Sequence, residues 1–249
     1  MQQLPPTPAY ILHSRPYRDS SLILELLTPE YGRVGCIARG ARRDKQRRQR
    51  ALQPFAPVLV TLLGKHDLKT LGPVESAGRA HWLKGRAVYA GLYANELLVR
   101  LLPEGETQVE VFAAYQGLLD QLGGLPGEDS GELEMPLRRF ELTTLLALGC
   151  CPQLDYSPLG SGPVEAEQIY RVTPEDGLVP VILPPGQPPR GNDFCGADLL
   201  ALAAALGGEA LTAASMPEAK RLTRVLLAPL LGSRPLRSRE LFRQVYLSE

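Results

Sequence analysis

From residue 9 to about residue 80, apolar side chains come in short runs separated by turn residues. Tyr10–Ser14 and Ser21–Thr28 have strand length and are rich in Ile, Leu and Tyr, the composition that suits a pleated, half-buried surface. The turn Pro29-Glu30-Tyr31-Gly32 leads into Arg33–Ala38, which predicts a hairpin. After a long polar loop, Pro57–Leu63 and Lys69–Leu71 supply the fourth and fifth strand candidates. Pro16–Ser20 is expected as a loop, which puts the Tyr17 ring at the surface. Five short strands with one long basic loop between the third and the fourth suit a small closed barrel.

From Gly85 onward the period becomes helical. Val88, Leu92, Asn95 and Val99 share one face, Tyr89, Tyr93 and Leu97 the adjacent one, and Glu96 stands one turn before Arg100 as an i,i+4 ion pair. Further helices are predicted over Thr107–Leu122, ended by Gly123-Gly124, and over Gly131–Leu148, stopped by Gly149. Residues 152–191 hold nine prolines and five glycines, too many for helix, with strand-like runs at Gln168–Val172 and Leu178–Ile182. Helical spacing returns at Ala197–Leu206, at Pro217–Leu231 with its first-turn proline, and in a short basic segment, Ser238–Leu247. The fold class is therefore α+β. A five-stranded OB-fold barrel, residues 1–80, is followed by an all-helical domain, residues 81–249, with a small Pro-rich irregular or β insertion at 152–191.

Composition changes this picture little, and charge changes it a great deal. The 249 residues are 44% hydrophobic and 6% aromatic, with 27 Lys+Arg against 27 Asp+Glu, values of a globular chain. No uninterrupted run of about 18 apolar residues and no leader-like N-terminus are visible, so a cytoplasmic protein without a membrane partner is expected. The zero net charge hides an asymmetry: residues 1–80 carry +7, residues 81–100 carry +2, residues 101–200 carry −12 and residues 201–249 carry +3. Such a division suggests a polyanion-facing module joined to a differently employed one.

The centre of the basic half is Arg39–Arg50, which holds seven cations and one carboxylate in twelve residues: Arg39, Arg42, Arg43, Lys45, Arg47, Arg48 and Arg50 against Asp44. Phosphates neutralise such a run, and the planar guanidinium fork matches phosphate oxygens; a solvated loop that aids solubility is the alternative. Around it lie Arg15, Arg18, Arg33, Lys65 and Lys69, with Tyr17, Tyr31 and Phe55 as stacking surfaces or as plain core and turn fillers. Stacking tolerates any base, so little sequence preference is expected. In the second half, Arg138-Arg139 open an apolar helical run with Phe140 and Leu142. They suit either a clamp for a partner's C-terminal carboxylate or an ordinary helix surface with an ion pair to Glu134 or Glu141. The arginines of the C-terminal segment, Arg237 and Arg239 among them, are a second polyanion contact or part of a capped terminal helix.

Signatures of catalysis and metal binding are missing. Gly72 to Gly78 has the wrong spacing for a phosphate loop, Gly160-Ser161-Gly162 is not continued as a dinucleotide fingerprint, and no G-x-S-x-G elbow exists. Cys36, Cys150, Cys151 and Cys195 form no C-x-x-C pair, and His13, His66 and His81 are isolated. The expectation is a protein that is no enzyme, needs no cofactor and holds no metal, with Cys150 and Cys151 as small apolar fillers. An RNA-binding barrel and a protein-interaction scaffold are the rival readings.

Several blocks, taken together and in order, resemble the RecO family of DNA repair proteins in its gamma-proteobacterial form. They are His13–Pro16, Ser20–Leu22, Gly32–Val34, Ala38–Arg42, Leu52–Phe55, Lys69–Leu71, Gly91–Leu98, Leu137–Leu142 and Pro235–Arg243. The resemblance spans about residues 10 to 246. It implies an N-terminal OB-fold, a helical C-terminal domain and a recombination mediator without catalysis. Such a mediator binds single- and double-stranded DNA and anneals complementary strands. It contacts the C-terminal tail of single-stranded DNA-binding protein and, with RecR, promotes loading of RecA. By position, the Arg33–Arg50 segment then corresponds to the DNA surface, and Arg138 with Phe140 to the tail-binding block. Some members carry a four-cysteine zinc site after the third helix, whereas this chain has only Cys150, Cys151 and Cys195 there.

Overall fold

A computed structural model describes residues 3–43, 52–125 and 132–246. The chain forms two compact units, Met1–Leu133 with Arg234–Glu249, and Glu134–Ser233. The segment expected as one helical domain from residue 81 is thus divided between them. The first unit keeps two helices that pack on barrel strands, and the C-terminal helix, which packs on the first of them.

In the first unit, β1 (Thr7–Tyr17), β2 (Ser21–Thr28), β3 (Gly32–Ala38), β4 (Val58–Leu63) and β5 (Lys69–Ser76) close into a barrel in the order β1-β2-β3-β5-β4. All pairings are antiparallel except β3 with β5, where Cys36 lies opposite Lys69. This is the OB-fold barrel. Alternate residues point inward: Ala9 and Ile11, Leu24 and Leu26, Val34, Cys36 and Ala38, and Val58, Val60 and Leu62 form its core. Burial pushes the Cys36 thiol up to about 12, with the Glu25 carboxylate adding to the effect, so this cysteine is an inert filler. The β1–β2 turn and the exit of β3 meet at one end of the barrel, and Gly32 marks the other.

Outward-facing Tyr10, Leu12, Ile23 and Leu27 are buried too, which explains why these strands read as continuous apolar runs rather than alternating ones. Two helices cover them, α1 (Arg86–Leu101) and α2 (Val109–Gly124). The Tyr10 ring meets Phe112 at 5.4 Å and Tyr115 at 5.1 Å between centroids. In α1 the buried stripe is Ala87, Ala90, Gly91, Tyr93, Ala94, Asn95, Leu97 and Leu98, whereas Val88, Leu92 and Val99 are only half-buried. Small residues carry the contact because the helix lies close to its neighbours: a Cβ at Gly91 would stand 2.7 Å from the Phe55 ring.

A bulge in β1 links barrel and helices. The pairing runs Ile11 to Leu26 and then His13 to Glu25, leaving Leu12 out of register. Its carbonyl accepts a bond from Asn95 Nδ2 at 3.0 Å, and Asn95 Oδ1 accepts the Tyr115 hydroxyl proton at 2.5 Å. Glu96, the next residue of α1, receives the backbone N–H groups of Arg237 and Ser238 at 3.0 and 2.9 Å and the Ser238 hydroxyl at 2.7 Å. It thereby caps a third helix of this unit, Arg237–Tyr246.

The second unit holds α3 (Glu134–Ala147), the short β6 (Tyr156–Ser157) and β7 (Gly162–Pro163), β8 (Ile169–Thr173), β9 (Gly177–Val181), β10 (Asp193–Cys195), α4 (Gly196–Leu206) and α5 (Met216–Leu231); the C-terminal helix of the first unit is α6. The Pro-rich segment is a small β module in the sheet order β10-β8-β9. Arg171 clasps Asp193 across β8 and β10 at 2.7 and 3.1 Å. Among the described residues no helix is long and apolar enough to cross a membrane.

Candidate nucleic-acid interface

The barrel end formed by the β1–β2 turn and the exit of β3 is cationic. Arg39, Arg42 and Arg43 are exposed there, on a turn made by Gly40 at φ +68. The Arg42 backbone N–H donates to the Ser20 carbonyl at 2.9 Å, and its guanidinium donates to the carbonyls of Arg18 and Asp19 at 3.1 and 3.4 Å. Arg42 therefore straps the two turns together and keeps its charge. Arg18 takes the left-handed conformation at φ +51, uncommon for a side-chain-bearing residue and a mark of functional turns. Its guanidinium carbon stands 5.2 Å from the Tyr17 ring centre.

Together Tyr17, Arg18, Ser20, Ile37, Arg39 and Arg43 line a cleft of about 650 Å³, and Asp19 belongs to the same lining. A half-buried aromatic face among three guanidinium groups offers stacking for a base and forks for phosphate oxygens. Tyr17 ends β1 rather than sitting in a loop, so its ring is held by the sheet. Exposed Lys65 lies on the β4–β5 turn and does not line this cleft, half-buried Lys69 begins β5 opposite Cys36, and exposed Arg15 lies two residues before Tyr17. The sequence continues from Arg43 into Lys45, Arg47, Arg48 and Arg50, which lie outside the described residues.

Arg33 is elsewhere. It belongs to the opposite barrel end, where its guanidinium meets Glu25 at 2.8 Å, Glu104 at 3.1 Å and the Leu102 carbonyl at 2.9 Å. Those bonds make it a strut between the barrel and the α1–α2 connection. Arg237 and Arg239 are exposed on α6. Arg239 packs over the Tyr93 ring at 5.2 Å, and Arg237 borders a separate cleft of about 420 Å³ with His13, Arg100 and Arg234.

In the second unit Phe140 and Leu142 are each 2% exposed, so both are core. Arg138 pairs with Glu141 at 2.7 Å and donates to the Thr223 hydroxyl at 3.1 Å; this is the helix ion pair that the sequence offered as the alternative. Arg139 is the member of the block that stands in solvent, on one helical face with Met135 and Leu146, which are 41% and 48% exposed. The free thiol of Cys151 is buried, and burial raises it to about 12 with Cys150 contributing. Among the described residues no cluster of His, Cys, Asp or Glu is arranged to hold a metal ion.

Sequence reasoning passed over Trp82, the single tryptophan of the chain, which is 79% exposed. Its signal was its company: Arg79, Lys84 and Arg86 surround it in sequence.

Comparison with known proteins agrees with this architecture. The family model described as "Recombination protein O N terminal" matches residues 1–78, and "Recombination protein O C terminal" matches residues 83–240. A "DNA repair protein RecO" of Cellvibrio japonicus is 43% identical over 236 residues, covering 94% of this chain and 95% of that protein. Proteins with the same description from Stutzerimonas stutzeri and Shigella flexneri are 42% and 40% identical, covering 94% and 95% of this chain and 92% and 93% of their own lengths. With both family models in sequence order and relatives matched nearly end to end, the chain belongs to the RecO family of DNA repair proteins.

Proposed function

We propose that the cationic barrel end is a DNA-binding surface and that the chain acts in DNA repair as a mediator without catalysing a reaction. The observation that carries this is one open cleft lined by Arg39, Arg43 and Tyr17, with the Arg18 guanidinium over the Tyr17 ring. The guanidinium groups grip phosphates of single- or double-stranded DNA, and the ring stacks on an unpaired base. Neutralising two phosphate backbones lowers their mutual repulsion, so annealing of complementary strands follows without nucleotide hydrolysis. The setting is the cytoplasm, on nucleoid DNA.

The reading extends to three protein partners. The C-terminal tail of single-stranded DNA-binding protein meets the solvent-facing side of α3, where Arg139 supplies the cation and Met135 and Leu146 the apolar contact. RecR then acts with this chain so that RecA loads on the uncovered strand. Arg33, Arg138, Phe140 and Leu142 serve the framework instead, because each is engaged or buried.

The test is binding of a labelled single-stranded oligonucleotide by the Arg39→Ala/Arg43→Ala variant and by Tyr17→Ala. Loss of two charge-assisted phosphate contacts predicts a fall in affinity of more than about tenfold. Unchanged affinity in both variants removes the cleft from the interface. A matched RNA oligomer that binds more tightly than the DNA favours an RNA-binding protein instead.

A further inference from the structure

The chain leaves β5 and enters α1 through residues 77–85. Backbone bonds pin this connection to the barrel: Ala77 N–H donates to the Pro57 carbonyl at 3.0 Å and His81 N–H to the Phe55 carbonyl at 3.1 Å. Leu83 packs beneath α1, since a Cβ on Gly91 would come within 2.8 Å of it. Trp82 sits between these two anchored neighbours and is 79% exposed. It borders a groove of about 820 Å³ whose walls include Arg79, Lys84, His81 and Gln116, with buried Tyr10 at its floor. Among the described residues the one acid in the lining is Asp120, which faces His81 Nδ1 at 3.7 Å.

A large aromatic face held in water by a fixed backbone, with cations on both sides in sequence, is a stacking platform for an unpaired base. A buried ring would stabilise the fold through its area; this one is left free to meet a ligand. Arg79 and Lys84 line the groove as cations suited to phosphates, and the Asp120 carboxylate repels them. Tyr10 at this groove and Tyr17 at the cleft are seven residues apart on β1, or about 23 Å at roughly 3.3 Å per residue. That distance is nearly three times the Debye length of about 8 Å at physiological salt, so phosphates held at the two places hardly repel one another.

We propose that the Trp82 groove is a second, separate site for single-stranded nucleic acid, taking a base on the indole and phosphates on Arg79 and Lys84. This rests on the reading that the barrel end binds DNA. It adds that the unit holds two stretches of strand at once, independently of sequence.

Because Trp82 is the single tryptophan, its fluorescence reports this groove directly. The experiment titrates the full chain with short oligothymidylate and follows both indole emission and the anisotropy of labelled oligomer. Four proteins are compared: the native chain, Arg39→Ala/Arg43→Ala, Arg79→Ala/Lys84→Ala, and Trp82→Ala, the last followed by anisotropy alone. The expected result is quenching in the native chain that persists in the barrel-end variant and disappears in Arg79→Ala/Lys84→Ala, which still binds at the barrel end by anisotropy. Trp82→Ala should weaken the second binding event about five- to a hundredfold and leave the first unchanged. Anisotropy that reports binding while the indole stays unquenched overturns this proposal alone and leaves the groove to a protein partner. Quenching lost in the barrel-end variant also overturns it, since one site then does all the binding. No binding in either readout overturns the barrel-end reading as well.

Discussion

Replacing Asn95 by Ala tests how the barrel is coupled to its helices. The substitution removes the donor to the bulged Leu12 carbonyl and the acceptor of the Tyr115 hydroxyl, and Tyr115 is fully buried. The Leu12 carbonyl and the Tyr115 hydroxyl each lose their bond to Asn95, at about 1–3 kcal/mol apiece, so Asn95→Ala should lose about 2–6 kcal/mol. Tyr115→Phe orphans only the Asn95 oxygen and should cost about 1–3 kcal/mol. In the double variant the stranded hydroxyl is gone, so the pair should lose less than the sum of the single changes by at least about 1 kcal/mol. Urea unfolding, with slopes compared to confirm that the unfolded states match, gives these values. Additivity within about 0.5 kcal/mol would refute the network, since it would mean that the two side chains do not share one buried bond.

Other consequences are separate. Gly32 has φ +56, and a Cβ there would stand 1.8 Å from the Glu106 carbonyl oxygen; Gly32→Ala should therefore cost more than about 2 kcal/mol or abolish folding, as circular dichroism and thermal melts will show. Phe140→Ala should lose about 3–5 kcal/mol in urea unfolding, whereas Arg139→Ala should leave stability within about 0.5 kcal/mol and, under the proposed function, weaken only the binding of a peptide carrying the C-terminal tail of single-stranded DNA-binding protein. Burial pushes the Glu96 carboxyl up, but the bonds donated by Ser238 and Arg237, together with Arg100, outweigh it and hold the group below its ordinary value. A lowered native value means that the stabilisation is present above the unfolded value of about 4.3 and is lost as pH falls through the native one. The stability gap between native chain and Glu96→Gln should then shrink on acidification, and a gap constant across that range contradicts the cap.

How much of this could be read from the sequence follows from range. The hairpin through Pro29–Gly32, the five strands and each helix within a few residues depend on local period and turn chemistry, which a sequence carries. Asn95 was legible as part of a helix face, but not as the partner of Leu12, because the β1 bulge arises only when β1 pairs with β2. Arg33 shares the charge and neighbourhood of Arg39, yet six residues of strand carry it to the opposite barrel end beside Glu104. Phe140 looked equally suited to a groove and to a core, since periodicity defines a face and not what covers it. Trp82 escaped notice because it lies between elements, where neither helical nor strand spacing singles it out.

The central claim is that DNA phosphates bind at the Tyr17 cleft. The most direct measurement is the dependence of single-stranded DNA affinity on salt, for the native chain and for Arg39→Ala/Arg43→Ala. Each phosphate contact contributes about 0.7 to the slope of log affinity against log salt for single strands. The variant should therefore be shallower by about 1.4 and weaker at every salt concentration. Parallel lines, with the native slope retained, would contradict the account and place the phosphate contacts elsewhere on the chain.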